Sequence, residues 1–281
     1  MPALPADGHV HTEFSWDARA GGIGDMEGTC ARAVQLGLPA VAFTEHVDHT
    51  TWAPTPGSAF ADSYPSLIAD DGTMTPPPLD VDGYLAAVER CRHRYPDLRI
   101  LTGVEAGEPH WFADEVRDLL AGGRFERVLG SLHSLSLDGE YMEPPELFLR
   151  RPVDDVMRAY LAELHDLVVG SDAFAVLAHL DYVARYWPEQ MAPYDPHDFE
   201  DEVRHVLAAL AATDRALEVN TRLPLHPDVV SWWRDEGGRA VTFGSDAHEP
   251  VALALGFREA ADMVESFGFR PGSDPWQAWL R

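Results

Sequence analysis

Histidines and carboxylates recur in six short motifs spread over most of the chain. In chain order they are Asp7-Gly8-His9-Val10-His11, Thr44-Glu45-His46, Gly103-Val104-Glu105, Gly130-Ser131-Leu132-His133, Leu177-Ala178-His179 and Gly244-Ser245-Asp246-Ala247-His248. Two residues at positions i and i+2 of a strand point to the same side, so His9 and His11 can bind one ion. The same spacing relates Asp246 to His248. Imidazole and carboxylate ligands without a thiolate are typical of zinc, manganese or iron sites.

The chain offers nine candidate metal ligands once Asp17, which follows the first motif closely, is included. They are His9, His11, Asp17, His46, Glu105, His133, His179, Asp246 and His248. This number exceeds what one tetrahedral ion can bind, so the sequence predicts two or three divalent ions in a shared site. Such ions bring more positive charge than the three carboxylates neutralise, and the resulting pocket should attract a phosphate.

Short apolar runs precede the motifs and alternate with longer segments of helical period, which is the pattern of parallel β/α units. We predict seven strands, at about 8–11, 40–44, 100–105, 128–132, 175–178, 216–220 and 240–244. A helix is predicted from residue 199 to 211. Because hairpin signals are lacking between the strands, the pattern indicates a closed or nearly closed parallel β/α barrel. In such barrels the carboxyl ends of the strands meet at one mouth, where the candidate ligands would converge.

The charge and the lysine content exclude several functions. The net charge of −26 argues against binding to a nucleic-acid backbone, which requires basic patches. All 21 basic residues are arginines, so a Schiff-base lysine, a phosphate-loop lysine and a lysine carbamate between two metals are excluded. We therefore expect a small phosphorylated substrate and no stable nucleic-acid partner.

The sequence predicts neither a membrane-spanning segment nor a secretory signal. The longest apolar runs, such as residues 206–212, are far too short for a bilayer span. Residues 1–7 show neither the basic start nor the apolar stretch of a secretory signal, so we expect a cytoplasmic protein without a membrane partner. The two cysteines, Cys30 and Cys91, show no disulfide framework and no zinc-ligand spacing.

One segment interrupts the alternation of strands and helices. Residues 51–83 contain six prolines and little periodicity, and are predicted to form a long loop after the second strand. Two interpretations remain open: a mobile surface insertion, or a lid that carries Trp52, Phe60 or Tyr64 toward the substrate. The whole chain, residues 1–281, is expected to form one domain.

The motifs, in this order and over nearly the whole chain, resemble those of the polymerase and histidinol phosphatase (PHP) superfamily. The resemblance implies a distorted seven-stranded β/α barrel with a trinuclear metal site. It implies one ion held by His9, His11, Glu105 and Asp246, a second held by Glu105, His133 and His179, and a third held by Asp17, His46 and His248. Position 17 is an aspartate here, whereas some family members have a histidine there. This difference concerns the identity and the occupancy of the third ion.

Within the superfamily the chain is most similar to histidinol-phosphate phosphatases. The similarity rests on chain length, the proline-rich segment, the stretch that ends at Glu105 and the run from His179 to Tyr186. It implies a phosphomonoesterase that hydrolyses L-histidinol phosphate to L-histidinol and phosphate. The expected nucleophile is a metal-bridging hydroxide. A PHP-type phosphodiesterase or nucleotide phosphatase, acting on a nucleotide or an oligonucleotide end, is the alternative.

Catalytic and substrate-binding roles follow from this hypothesis. Glu105 would bridge two ions, and Asp246 or His248 could protonate the leaving alkoxide. Arg185 and Arg222 are candidates for binding the phosphate. The cationic end of the substrate is expected to contact acids at the mouth, namely Glu45, Asp48 and Glu108. Two rivals are disfavoured: an amidohydrolase by the absence of lysine, and a non-catalytic module by the complete ligand set.

Overall fold

The computed structural model describes residues 4–122, 125–137 and 139–281. Its main sheet has eight strands in the order β1-β2-β3-β4-β7-β8-β9-β10. Their bounds are β1 Asp7–Val10, β2 Ala40–Val47, β3 Arg99–Gly107, β4 Arg127–Ser131, β7 Val176–Leu177, β8 Ala216–Asn220, β9 Ala240–Gly244 and β10 Trp279–Leu280. The first seven strands of this order are parallel neighbours, which confirms the predicted β/α architecture.

The sheet curls so that its first and seventh strands approach each other. Val10, the last residue of β1, forms an isolated parallel bridge with Ala247, which lies three residues beyond the end of β9. The His11 amide donates to the Ala247 carbonyl at 2.8 Å, and the Asp246 amide donates to the His9 carbonyl at the same distance. These bonds bring the first and last ligand motifs together.

Two features of the sheet were not predicted. The eighth strand, β10, pairs antiparallel with β9, with Trp279 opposite Val241. A separate hairpin is formed by β5 (Leu135–Leu137) and β6 (Glu140–Met142). This hairpin leads into the helix α6 (Pro144–Leu147) and thereby sets the position of Glu143.

Helices cover the outside of the sheet. They are α1 Trp16–Gly21, α2 Met26–Leu36, α3 Ala59–Ser63, α4 Val81–Arg94, α5 Ala113–Gly122, α6 Pro144–Leu147, α7 Val153–Gly170, α8 Glu200–Ala211, α9 Pro227–Asp235 and α10 Phe257–Ser266. The helix predicted from residue 199 is α8; it buries Val203, Val206, Leu207 and Leu210, which share one face. Within the described ranges no helix combines the length and the apolar character needed to cross a membrane.

The segment 51–83 is more ordered than the predicted loop. It contains α3, a 3-10 turn (Pro65–Leu67) and the start of α4. Trp52 and Met74 form an antiparallel bridge that ties its two ends together. Both side chains are buried in a small apolar cluster with Trp16, which is the first residue of α1. The segment therefore packs beside the mouth of the barrel.

Candidate metal centre

Glu105, near the carboxyl end of β3, is the centre of the ligand cluster. Its Oε2 atom lies 3.2 Å from Nε2 of His9, 3.3 Å from Nε2 of His11 and 3.1 Å from Nδ1 of His46. That oxygen has no hydrogen-bond partner among the described residues. A buried carboxylate oxygen in such surroundings is costly unless a cation satisfies it.

The other oxygen of Glu105 faces two further histidines. Oε1 lies 2.7 Å from Nε2 of His179 and 3.2 Å from Nε2 of His133. The two oxygens of one carboxylate thus face different groups of imidazoles, which is the arrangement expected of a carboxylate that bridges two ions.

His9 and His11 provide a test of whether a metal ion fits. Their Nε2 atoms lie 3.0 Å apart at the end of β1. Two nitrogen atoms that bind the same ion at about 2.0–2.1 Å lie roughly 3 Å from each other. Asp246 completes this group, with Oδ1 lying 3.3 Å from Nε2 of His11. The donor atoms therefore have the spacing of a metal site.

Asp17, His46 and His248 lie together at the outer rim of the cluster. The Oδ2 atom of Asp17 is 2.7 Å from Nε2 of His248 and 3.7 Å from Nε2 of His46. The rings of His46 and His248 both stack on His11, with centroids 4.2 and 4.3 Å away. His11, His46 and His248 can also offer one atom each to a common ion, so the boundary between the predicted groups is not sharp.

Asp48, which follows β2, joins the cluster beside His133. Its Oδ1 lies 3.1 Å from Nδ1 of His133, and its Oδ2 accepts a hydrogen bond from Nε1 of Trp16 at 2.8 Å. His46, Asp48 and His133 also have ligand atoms close enough for one ion. Asp48 was expected among the acids that contact the substrate, and the structure places it against the His133 ring.

Glu218, on β8, holds two ligands in place and was missed by the sequence analysis. Its Oε1 lies 2.8 Å from Nδ1 of His9, and its Oε2 accepts a hydrogen bond from the His179 amide at 2.8 Å. A carboxylate on the far nitrogen of a ligand histidine fixes the ring and its tautomer. The available signal was its position two residues before the end of the predicted strand 216–220.

Ser15 and Glu45 support His11 in the same way. Nδ1 of His11 lies 3.0 Å from the Ser15 hydroxyl, which donates to Oε2 of Glu45 at 2.6 Å. Oε1 of Glu45 accepts from the Thr12 hydroxyl. Glu45 is therefore occupied inside the protein, which corrects its expected role as a substrate contact.

The electrostatics of the cluster indicate a need for positive charge. Burial alone would raise the pKa of Glu105, but the neighbouring histidines, chiefly His9 and His133, hold it well below its usual range. Burial alone would lower the pKa of His9, but Glu218, Glu105 and Asp246 raise it well above its usual value. The carboxylates thus favour cations in this site, either as protons on imidazole or as metal ions.

A cavity of about 80 Å³ opens onto the cluster. Aromatic rings of Phe60, Tyr64, Tyr182 and Tyr186 form much of its wall, and Arg185, Arg222 and Glu143 also line it. The segment 51–83 therefore contributes two side chains to the wall. Trp52 packs against Phe60, with ring centroids 5.5 Å apart.

Arg185 and Arg222 both reach this cavity. Nη1 of Arg185 pairs with Oδ2 of Asp246 at 2.6 Å, whereas its buried Nε and Nη2 atoms have no hydrogen-bond partner among the described residues. Nη1 of Arg222 lies 3.4 Å from Oδ1 of Asp246 and 3.2 Å from Nδ1 of His248. Arg185 therefore has donors available for an anion beside the ligand cluster.

Glu108 was predicted to contact the substrate, and the structure places it outside the lining of the cavity. Oε1 accepts hydrogen bonds from the amides of His133 and Ser134, at 2.6 and 2.8 Å. Oε2 accepts from the Thr50 hydroxyl at 2.9 Å. The backbone of Glu108 has a positive φ of 45° in the tight turn after β3. Its side chain points toward the start of the loop that follows β4. The residue orders the backbone that carries His133.

Glu143 lines the cavity together with the predicted metal ligands Asp17 and Asp246. It is buried, and its Oε2 accepts a hydrogen bond from the Tyr182 hydroxyl at 3.0 Å. Burial, aided by repulsion from Glu108 and Asp48, raises the pKa of Glu143 to about 8. No motif marked this residue, because the unpredicted β5–β6 hairpin determines its place.

The fold and the ligand cluster define a parallel β/α barrel with a multinuclear metal centre at its mouth. A sequence profile of the PHP domain matches residues 7–222, and the chain belongs to that family. The match confirms the resemblance drawn from the motifs.

Curated relatives in this family cover nearly the same length. The histidinol-phosphatase of Lactococcus lactis is 26% identical over 271 residues, which are 94% of this chain and 91% of the relative. A probable histidinol-phosphatase of Thermotoga maritima is 28% identical over 270 residues, with coverage of 94% and 92%.

Two solved structures share the fold. One is histidinol phosphate phosphatase from Lactococcus lactis, complexed with Zn, L-histidinol and phosphate; it has a TM-score of 0.79 and 23% identity, and the match covers 99% of each chain. The other is a putative histidinol phosphatase from Listeria monocytogenes, with a TM-score of 0.72, 21% identity and coverage of 90% and 99%.

Proposed function

We propose that this protein is a metal-dependent phosphomonoesterase that hydrolyses L-histidinol phosphate to L-histidinol and phosphate. The observation that carries the proposal is Arg185, whose Nε and Nη2 atoms are buried and unpaired beside the Asp246 carboxylate. A guanidinium in that state is suited to a phosphate dianion. The full-length relatives with histidinol-phosphatase names support the choice of substrate.

Two or three divalent ions, of zinc, manganese or iron, would be held by the nine predicted ligands. The geometry supports Glu105 as the bridge, because its two oxygens face separate groups of histidines. Such ions would lower the pKa of a water molecule toward neutrality and neutralise the phosphate oxygens. Glu218 and Ser15 orient two of the rings that bind them.

The residues of the chain divide the remaining work. Arg185 binds the phosphate oxygens and stabilises the charge that grows on them, and Arg222 is placed to help from the rim. Asp246 and His248 are the candidates for delivering a proton to the leaving oxygen. His248 is held for this by Asp17 on Nε2 and by the Asp246 carbonyl, which lies 3.0 Å from its Nδ1.

Glu143 and the tyrosines beside it would recognise the cationic end of the substrate. L-Histidinol phosphate carries an ammonium and an imidazole, and Glu143 is a buried acid of the cavity wall that is not among the predicted metal ligands. A bound cation would favour its ionised form and repay part of the cost of burial. Tyr182 and Tyr186, whose hydroxyls lie 3.1 Å apart, would then be free to shift their hydrogen bonds.

The surroundings of the site also agree with a small substrate. The net charge of −26 disfavours a nucleic-acid partner, and the narrow cavity disfavours a polymer end. We propose a single domain over residues 1–281, in which the segment 51–83 acts as a lid through Phe60 and Tyr64. A cytoplasmic location is part of the same proposal.

A substrate comparison tests the function. Purified protein of known metal content is assayed with L-histidinol phosphate, a neutral alkyl phosphate, nucleoside monophosphates, a phosphodiester and a short oligonucleotide. We expect the highest kcat/KM for L-histidinol phosphate and poor activity on the diester. If a nucleotide or the oligonucleotide has the higher kcat/KM, the histidinol assignment fails and the alternative PHP activity replaces it.

A further inference from the structure

A second and larger cleft lies behind the 3-10 turn Tyr182–Tyr186. Its volume is about 520 Å³, within the range of about 300–1,000 Å³ that is usual for small-molecule sites. Trp187, Met191, Tyr194 and Leu223 form apolar walls. None of the residues that line this cleft lines the metal cavity, so the two are separate sites.

Asp181 places a negative charge in this apolar cleft. The residue lines the cleft and is only 4% exposed. Its Oδ1 atom has no hydrogen-bond partner among the residues that the structure describes. The charge of nearby Arg185 offsets only part of the cost of burying this carboxylate, and a cationic ligand would offset more of it.

Two aromatic rings form one wall of the cleft. The rings of Trp187 and Tyr194 lie 5.5 Å apart, tilted by 58°. Nε1 of Trp187 donates to the Ala192 carbonyl at 2.9 Å, which fixes the orientation of the indole. Aromatic faces next to a carboxylate favour organic cations, which gain from both the charge and the ring quadrupoles. Glu189, which also lines the cleft, adds to the negative potential.

We propose that this cleft binds a small organic cation with a flat apolar body. Its ammonium group pairs with Asp181, and its apolar body packs against Trp187 and Tyr194. The proposal does not depend on the reaction catalysed at the metal centre, because the two sites share no lining residue.

The cleft lies against the turn Tyr182–Tyr186, so a bound ligand would contact that turn. The turn Tyr182–Tyr186 has Ala184 on the cleft side, whereas Tyr182, Arg185 and Tyr186 line the metal cavity. A ligand on Asp181 therefore sits behind the same turn that positions the phosphate-binding arginine. The cleft is suited to an effector that acts through this turn.

Calorimetric titration of the metal-loaded enzyme tests the proposal. Inorganic phosphate is kept saturating to occupy the metal cavity, and the probes are benzylammonium, 2-(indol-3-yl)ethylammonium and 2-(imidazol-4-yl)ethylammonium. We expect saturable binding of at least one cation, and binding of benzyl alcohol that is weaker by about tenfold or more. Absence of saturable binding for all three cations, or equal binding of the neutral alcohol, would overturn the proposal.

Two variants locate the binding. Asp181→Asn should weaken the cation by about tenfold or more. Because this buried residue follows shortly after His179, a second variant, Met191→Arg, places a positive charge on a wall residue that is 49% exposed and should weaken binding similarly. Val251→Arg, on a distant exposed turn, is the matched control and should bind as the wild type does. Unchanged affinity in Met191→Arg would assign the binding elsewhere and contradict the proposal.

Discussion

Arg185 and Asp246 form a buried ion pair, with Nη1 of the arginine 2.6 Å from Oδ2 of the aspartate. The other oxygen of Asp246 lies 3.3 Å from Nε2 of His11. One carboxylate thus connects the Arg185 guanidinium with the ligand cluster. Burial alone would lower the pKa of Arg185, but Asp246 raises it above its usual value, so the arginine remains charged. The pair holds Arg185 with two donors free for the phosphate.

Arg185→Ala should lower kcat/KM for the phosphoester by roughly ten- to a hundredfold. This is about 1.5 to 3 kcal/mol, as expected for one charge-assisted contact. The variant should keep its metals, because Asp246 retains its oxygen next to His11. Steady-state kinetics and metal analysis on the same sample measure both effects. Arg204→Ala, which removes a surface pair with Glu200 and Glu236, is the control and should be unaffected. Loss of metal in step with activity would instead assign Arg185 a role in holding Asp246.

Glu105→Gln should lose on the order of a hundredfold more activity than Asp17→Asn. Glu105 has histidines on both oxygens, whereas Asp17 contacts the cluster at its rim through His248 and, more distantly, His46. Both changes replace a carboxylate by an amide of the same shape, so they form a matched pair. Metal analysis should show that Glu105→Gln loses more metal as well. Equal losses in the two variants would contradict the bridging role of Glu105.

Removal of the metals should abolish activity and lower the midpoint of thermal unfolding. The purified protein should contain two to three equivalents of zinc, manganese or iron, which stabilise the folded state by mass action. Dialysis against a chelator, followed by activity assay and thermal scans, measures both changes. Re-addition of a divalent ion should restore the activity and the midpoint of thermal unfolding. Full activity in a metal-free sample would refute the whole assignment.

The parallel strands and most of the ligand motifs could be predicted because local sequence specifies them. Apolar runs mark the strands, and a parallel barrel brings residues that follow such runs to one mouth. His179 illustrates this: its strand β7 has only two residues in the structure, yet the run 175–178 was sufficient to place it. Asp246 and His9 could be placed in one site because the first and last parallel strands of a barrel must lie side by side.

Roles that depend on loop conformation could not be predicted. Glu108 lies one residue beyond β3, but its positive φ turns the carboxylate toward the amides of His133 and Ser134. Glu143 reaches the cavity only because the β5–β6 hairpin folds over the mouth, and short strands of that kind carry no clear periodic signal. Asp181 lies within the run from His179 to Tyr186 that supports the resemblance, but nothing in the local sequence indicated that its side chain lines a different cleft.

Glu143 should make the stability of the metal-free protein depend on pH. Burial raises the pKa of this carboxyl from its usual value of about 4.5 to about 8, so the folded state keeps the proton at pH values where the unfolded chain has lost it. The stabilisation is therefore fully present below about pH 4.5 and is lost as the pH rises toward about 8.

Glu143→Gln stays neutral throughout and lacks this dependence. The free energy of unfolding of the wild type, relative to the variant, should thus fall across that window by up to about 5 kcal/mol, at about 1.4 kcal/mol per pKa unit. Urea unfolding of both proteins in the presence of a chelator, at several values between about pH 5 and pH 9, measures the difference. The surface variant Glu259→Gln serves as the control and should follow the wild type. Parallel curves for the wild type and Glu143→Gln would show that Glu143 is ionised in the folded protein at neutral pH, and its proposed tuning by a bound cation would fail.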